Sequence, residues 1–361
     1  MDIRKTLLFE EHTALNALMA PFAGWNMPIH YGSIIEETKH TRTAVSVFDI
    51  CHMGEIIIKE SPEKSSFGRA VTVPVGEMKI GSCRYGFLLN EEGGILDDLL
   101  IYRKTEDEWM AVVNAGTADQ DFEIIKKRAA GAEVSDISGD TAKFDIQGPG
   151  ARDVMKKIAG PDIEKLGFYK FGIFDIDGEK HIISRTGYTG ELGYEIYIPN
   201  GKAAALWREI LKSEAVKPAG LGARDILRLE AGLPLYGNEL TPEITPFEAG
   251  FERFINLERD FFGRDALLKK REEKGGKKLF GFEVDSRRTP RHGNKITVNG
   301  EEKGIVTSGA FSPHLNKGIG FGYFEKFEDG EKAEFDIDTG RGMIKAKIVK
   351  TPFLNETSLK K

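Results

Sequence analysis

From about residue 277 the chain changes character, and this change constrains its architecture more than any single motif. "KLFGFEVD", "KITVNGEEKGIVTSGAF", "GIGFGYFE", "EKAEFDID" and "IKAKIVKTPF" are short runs punctuated by Gly turns, without helical periodicity. They follow the charged stretch "KKREEKGGKK" and predict an all-β barrel or sandwich over 277–361. The 361 residues also exceed what one hydrophobic core serves, so two or three domains are expected.

Upstream, strand and helix signals mix. A helical segment, a Gly/Pro-rich loop "PFAGWNMPIHYGS" and a helix "IIEETKHTRTAV" occupy the first 50 residues. "GEIIIKE", "SCRYGFLLN", "DDLLIYR" and "EWMAVVNA" predict four strands, followed by a helix over roughly 117–130. "TAKFDIQG" reads as strand, "ARDVMKKIAG" as helix, residues 170–199 as an antiparallel meander and "AAALWREILKSE" as helix. No exact internal repeat is visible, and the class is α+β.

Composition removes several functions. The formal charge is −6 and the 51 Lys and Arg are dispersed, which excludes a nucleic-acid footprint. The start "MDIRKTLLFEEHTALNALMA" lacks a secretory apolar region, and no run is long enough to span a membrane, so a cytoplasmic location is expected. Cys51 and Cys83 cannot build a disulfide framework, and both read as packing residues. Cys51 sits beside His52, but neighbours on a strand face opposite ways and make a poor catalytic pair. "GLGARD" follows "VKPA", which does not read as a buried strand, so a dinucleotide fingerprint is not supported. Walker A, GxSxG, HExxH and CxxC patterns are missing, and no metal site is expected.

"NEEGGILDDLLIY" then raises the chemical question, because Asp97 and Asp98 stand inside an otherwise apolar strand. Alternation puts Asp97 with Ile95 and Leu99, and Asp98 with Leu96 and Leu100. An unpartnered buried carboxylate is costly, so at least one must be hydrogen-bonded, line a wet cavity or do chemistry. A strand-end Asp capping a turn is the simpler account. Tyr85, Tyr169, Tyr188, Tyr194 and Glu195 join Asp98 as aromatic and acidic residues in Gly-rich strand and turn contexts. Such a set suits a planar heterocycle with an amidine-like edge, as a pterin has; equally, Gly187, Gly190 and Gly193 could simply serve hairpin turns.

The strings "FAGWNMPIHYGSI", "NEEGGILDDLLIYR", "VVNA", "IQGPGA", "SRTGYTGELGYEIY", "PAGLGARDILRLEAGLPLYGNEL" and "TSGAFSPHLNKGIGFGY" stand in the order found in a known family. Over essentially its whole length the chain resembles the folate-binding T-protein family of the glycine cleavage system. That resemblance implies three domains around a central folate channel: a first α+β domain of 1–50 and 137–245, a second of 51–136 and 246–276, and a β-barrel over 277–361. It implies an aminomethyltransferase in which lipoylated H-protein presents an S–CH2–NH3⁺ arm and tetrahydrofolate supplies the nucleophilic N5. Ammonia leaves, and 5,10-methylenetetrahydrofolate and dihydrolipoyl H-protein form without an enzyme nucleophile. By the same resemblance Asp98 is the catalytic carboxylate near N10 and Glu195 grips the pterin. Tyr85, Tyr169 and Tyr188 line the folate, with Asn114 and Arg224 close by. The chain departs from the family pattern at Cys51 in "CHMG", at Phe168 before Tyr169, and in "PHLNKGIGFGY". Relatives include tetrahydrofolate-dependent demethylases of small metabolites and non-catalytic folate binders; a binder has no use for a carboxylate at the reacting end.

Overall fold

The computed structural model describes residues 3–61, 64, 66–273, 276–286, 288–324 and 334–359. The chain opens with β1 (Arg4–Lys5), α1 (Phe9–Ala14) and a hairpin of β2 (Leu18–Phe22) and β3 (Trp25–His30). The predicted Gly/Pro-rich loop is therefore mostly strand. Ala23 and Gly24 turn the corner with φ of 48° and 82°, the pair of positive values that matches strand twist in a two-residue turn. Next comes α2 (Ile34–Thr43), whose first turn is capped by the Ser33 hydroxyl accepting from Glu36 N–H. It leads into β4 (Val45–Asp49), buried throughout.

The next stretch supplies β5 (Gly54–Lys59), α3 (Ser66–Ala70), β6 (Ser82–Leu89), β7 (Ile95–Arg103), β8 (Glu108–Val113), α4 (Ala118–Arg128) and β9 (Glu133–Asp136). Its strands form a five-stranded sheet in the order β6-β7-β8-β5-β9. Then follow β10 (Thr141–Gln147), α5 (Ala151–Ala159), β11 (Phe171–Ile176), β12 (Glu179–Ser184), β13 (Gly193–Pro199), α6 (Ala203–Leu211) and β14 (Val216–Pro218). These strands recruit β4 into a six-stranded sheet in the order β11-β12-β13-β10-β4-β14. "VKPA" thus contains a short strand after all, an edge strand parallel to β4 that ends at its own proline.

After α7 (Leu221–Glu230) and α8 (Arg264–Glu272), the remaining strands close into a barrel. They are β15 (Lys278–Val284), β16 (Lys295–Val298), β17 (Glu301–Ser312), β18 (Lys317–Phe324), β19 (Glu334–Asp338) and β20 (Met343–Val349), in the closed order β15-β18-β17-β16-β19-β20. Among the described residues no helix is long and apolar enough to cross a membrane.

Strand alternation decides where the polar residues go. On one face of the six-stranded sheet, Ala142, Phe144, Ile146, Tyr194, Ile196 and Ile198 pack with residues of α5 and α6 around Trp207. On the five-stranded sheet, Leu99 and Ile101 pack with Phe67 of α3 and Ile125 of α4. The two faces left without helices meet each other, through Ile57, Tyr102, Met110 and Val112 on one side and Phe171 and Tyr197 on the other. Asp98, Leu100 and Tyr102 of β7 therefore share a face with this junction, as do Lys143, Asp145, Glu195 and Tyr197 of the opposing sheet.

Arg42 ties α2 to the rest. Its guanidinium lies 2.9 Å from Glu191 and 2.8 Å from Glu230 of α7. Glu191 also accepts from the backbone N–H and hydroxyl of Ser358, and Glu230 accepts from Ser312 of the barrel at 2.5 Å. The start of β7 is pinned too: Ile95 N–H donates to the carbonyls of Thr241 and Ile244 at 3.2 and 3.0 Å. Gly94 is required there by space, since a Cβ would stand 1.8 Å from the Pro242 carbonyl oxygen. We expect Gly94→Ala to displace that loop and cost about 1–3 kcal/mol of stability, read as a lower denaturation midpoint in urea. An unchanged midpoint would show that the loop is not fixed to the strand.

Candidate active site

Asp98 stands opposite Phe87 of β6, with Tyr85 one pleat away on the same face. Tyr85 donates its hydroxyl to Asp98 Oδ2 at 2.9 Å, and its ring is edge-on to Phe87 and Phe254, 5.2 Å away in each case. Asn114, immediately after β8, places Nδ2 at 2.9 Å from Asp98 Oδ1 and also from Asp97 Oδ1. Its backbone N–H donates to Asp97 Oδ2 at 3.0 Å. Tyr85, Asp98 and Asn114 are thus one cluster, and Asn114 bridges the paired aspartates.

Asp97 faces the other way, into the helix-covered core, where it is fully buried beside Asp121 of α4. Burial and the Asp97 charge push the Asp98 carboxyl up to about 7, against the pull of Tyr85 and Asn114. Burial and Asp121 raise Asp97 well above the carboxylate range, and burial carries Asp121 to about 7. Neither oxygen of Asp121 makes a hydrogen bond of good geometry, although Asp97 and the Thr117 side chain lie close enough to pull its carboxyl down against burial. Asp97 and Asp121 can hydrogen-bond only if one keeps its proton, so the pair titrates as a unit. Asp121 escapes a sequence reading because an Asp in the first turn of a helix looks like ordinary N-terminal charge.

Glu195 anchors a second cluster. Its Oε2 accepts from Thr186 at 2.8 Å, Tyr197 at 3.2 Å and Tyr102 at 3.3 Å, with the Lys143 ammonium at 3.6 Å. Burial opposes the charge, but Lys143, Thr186 and Arg224 together hold the carboxyl below its usual range. Asp145 is the cross-strand partner of Glu195 and pairs with Arg224 at 2.5 Å. Burial nonetheless raises Asp145 to about 6, against the pull of Arg224, whereas Glu195 is held low. Arg224 lies over the Tyr188 ring at 4.9 Å, and the Tyr188 hydroxyl donates to the Pro234 carbonyl. Gly187 and Gly193 serve close approach rather than a turn: a Cβ at either would lie 2.1 or 1.9 Å from the Gln147 amide, which accepts from Thr189 at 2.6 Å.

Tyr169 sits between the clusters. Burial comes first among the causes that raise its hydroxyl to about 12, and the Glu195 and Asp98 charges both contribute. Its backbone is left-handed, φ 57°, and is held by Arg185 and Cys83 through main-chain hydrogen bonds of 3.1 and 3.0 Å. Asp98 and Tyr102, the latter bonded to Glu195, share one face of β7 with about 13 Å of strand between them. Tyr194 does not join: it lies in the apolar core beyond the sheet. Lys143, Asp145, Tyr102 and Tyr197, which the sequence did not single out, complete the Glu195 cluster. Cys51 and His52 stand in a turn rather than a strand; both are buried, and the Cys51 thiol donates to the Lys143 carbonyl at 3.4 Å. Among the described residues no group of three or more His, Cys, Asp or Glu is placed to hold a metal. A surface cavity of about 510 Å³ beside Tyr31, Ser33, Lys39 and Lys217 contains none of these groups.

Residues 8–259 match the model of the GCVT N-terminal domain, and residues 277–355 that of the glycine cleavage T-protein C-terminal barrel domain. The chain belongs to the glycine cleavage T-protein family. An aminomethyltransferase of Thermoanaerobacter sp. (strain X514) is 40% identical, with 98% of each chain covered. One from Thermosipho melanesiensis is 41% identical, with 97% of each covered. The crystal structure of glycine cleavage system aminomethyltransferase T from Bartonella henselae superposes with a TM-score of 0.92 at 34% identity, covering 98% of this chain and 99% of that one. The T-protein fold expected from the sequence, α+β with a closed C-terminal barrel, is the one observed.

The Asp98 carboxyl links stability of this T-protein to pH. Its pKa is higher folded, about 7, than unfolded, near 4, so the folded state holds more protons between those values. The stabilising contribution is complete below about pH 4 and lost as pH rises through about 7. Asp98→Asn should therefore lose less stability than the wild type between pH 5 and pH 8, by a few kcal/mol, in urea denaturation at each pH. Equal losses would place the Asp98 pKa near its ordinary value.

Proposed function

We propose that tetrahydrofolate occupies the space between the two sheets, with its pterin at Glu195 and its N5–N10 region at Asp98. The activity is that of the glycine cleavage aminomethyltransferase: N5 displaces ammonia from the aminomethyl group on the lipoyl arm, and ring closure yields 5,10-methylenetetrahydrofolate and dihydrolipoyl H-protein. Lipoylated H-protein is the partner in this reading. The observation that carries it is the placement of two carboxyls across the junction: Asp98, poised near neutrality, on one face of β7, and the shielded negative Glu195 of β13, bonded to Tyr102 farther along that same face. Aromatic residues Tyr85, Tyr169 and Tyr188 accompany them.

Each residue has a task in that pose. Glu195 accepts two N–H bonds from the pterin edge, while Thr186, Tyr102 and Tyr197 hold its other oxygen still. Asp98 accepts near N10 and, when ionised, stabilises the cationic character that develops as ammonia departs. Tyr85 and Asn114 fix its orientation. Arg224 and Tyr188 stack beside the ring. Both cysteine thiols are buried and pushed upward in pKa, so neither supplies a thiolate nucleophile. The domain division 1–50 with 137–245, 51–136 with 246–276, and 277–361 belongs to the same proposal, supported by the way β4 joins the later sheet.

The deciding assay follows ammonia and methylenetetrahydrofolate formation from aminomethylated H-protein under saturating folate. Asp98→Asn should lower turnover by about 10² to 10⁴ with folate affinity within a few-fold. Faster methyl transfer from a free sulfonium or methoxy compound than reaction with H-protein would replace this reading with a demethylase. Glu195→Gln turns an acceptor into a donor facing a donor, and should weaken tetrahydrofolate binding at least tenfold by calorimetry. Unchanged affinity would confine Glu195 to closing the sheet.

A further inference from the structure

Lys143 is a buried charge that helps hold Glu195 low, yet the fold leaves its own hydrogen-bonding needs largely unmet. Alternation on β10 puts it on the same face as Asp145, across from Tyr197, and its side chain is 1% exposed. The ammonium carries three N–H donors. Its only hydrogen-bond acceptor among the described residues is the Met53 thioether, 3.7 Å away, and the Tyr197 ring lies 5.0 Å off. The nearest carboxylate oxygen, Glu195 Oε2, is at 3.6 Å and already accepts from Thr186, Tyr102 and Tyr197. Glu55 and Asp145 also feel the Lys143 charge; Asp145 pairs with Arg224, whereas burial raises Glu55 to about 8 and leaves its Oε1 without a partner. A buried ammonium without an oxygen acceptor is expensive, so an oxygen from outside the chain belongs beside it.

That oxygen has a defined position, next to the carboxylate that reads N–H groups. A cation and a carboxylate side by side match an edge that presents a carbonyl oxygen next to N–H donors. We propose that Lys143 is a specificity-determining residue, donating to the 4-oxo oxygen of the pterin while Glu195 takes the adjoining N3–H and 2-amino edge. This rests on the folate reading above and adds to it a residue that reads one ring substituent. A 4-amino pteridine puts an amino group against the ammonium and an unprotonated N3 against the carboxylate, so the lysine contact and the N3–H bond are lost while the 2-amino bond remains. Cys51 contributes by position: its thiol and the Lys143 backbone exchange contacts of 3.4 and 3.3 Å, fixing β10 where the lysine leaves it.

The test compares tetrahydrofolate with tetrahydroaminopterin, which differ at the 4-position, by calorimetry on the full-length protein. The wild type should prefer the 4-oxo compound at least a hundredfold. Lys143→Met should weaken tetrahydrofolate at least tenfold while leaving tetrahydroaminopterin unchanged or improved, shrinking the preference by tenfold or more. Lys143→Gln, which keeps a neutral donor, should fall between the two and carries the comparison if the Met variant does not fold. A wild type that binds both compounds equally overturns the proposal without any variant. Equal losses for the two ligands in the variants overturn it as well, assigning Lys143 to holding Glu195 or a water. A wild type that binds neither compound overturns the folate reading and this inference with it.

Discussion

A buried guanidinium keeps its charge, so the carboxylates that answer it have to be brought to where it stands. Arg42 draws Glu191 from the loop between β12 and β13 and Glu230 from the end of α7. Each of those carboxylates then collects further donors, Ser358 for the first and Ser312 for the second. One side chain thereby fixes α2, the Gly-rich loop, α7, the barrel and the C-terminal segment relative to each other. Removing one member would strand the others as uncompensated buried charges, which is why such a node is worth more to uniqueness of the arrangement than to net stability.

The two sheets present their helix-free faces to each other, and the contents of the junction follow from strand periodicity. The apolar part is small: Tyr102, Val112, Phe171 and Tyr197 with a few neighbours. The remainder is polar and charged, which a mere packing interface would not select. Asp145 with Arg224, and Asp98 with Tyr85 and Asn114, are each internally answered, whereas Lys143 beside Glu195 has no oxygen within hydrogen-bond reach. The aspartate pair shows the division of labour clearly. Adjacent residues, opposite faces, two environments: burial beside Asp121 raises Asp97 well above the carboxylate range in a core, and Asp98 titrates near neutrality at the junction.

Much of this was legible beforehand. The barrel is legible in its Gly-punctuated strands, and the alternation of "ILDDLLIY" alone separates Asp97 from Asp98. "TAKFDIQG" was read as a strand, yet its polar residues drew no notice, since alternation looks the same whether the polar face meets water or a second sheet. Lys143 and Asp145 were lost to that ambiguity. The hairpin over 18–30 is hidden because Pro and Gly inside a strand usually signal a break; here Pro21 lies on the edge strand β2, and Pro28 lies on the central strand β3 beyond Trp25 and Asn26, the two residues that pair with β1. Strand β14 is three residues long and ends on proline, too short for any periodicity to register.

The partners of Arg42 also bear on how the chain comes into being. Synthesis delivers residues from the N-terminus, so Arg42 and β4 emerge early, whereas β10 and β14, which flank β4, arrive about a hundred residues later or more. Glu191 waits longer still, for Ser358 lies 167 residues beyond it. Until then a carboxylate destined for complete burial has only part of its solvation replaced. A growing chain therefore completes the Arg42 node only once the segment around Ser358 has been made, well after the strands of both sheets.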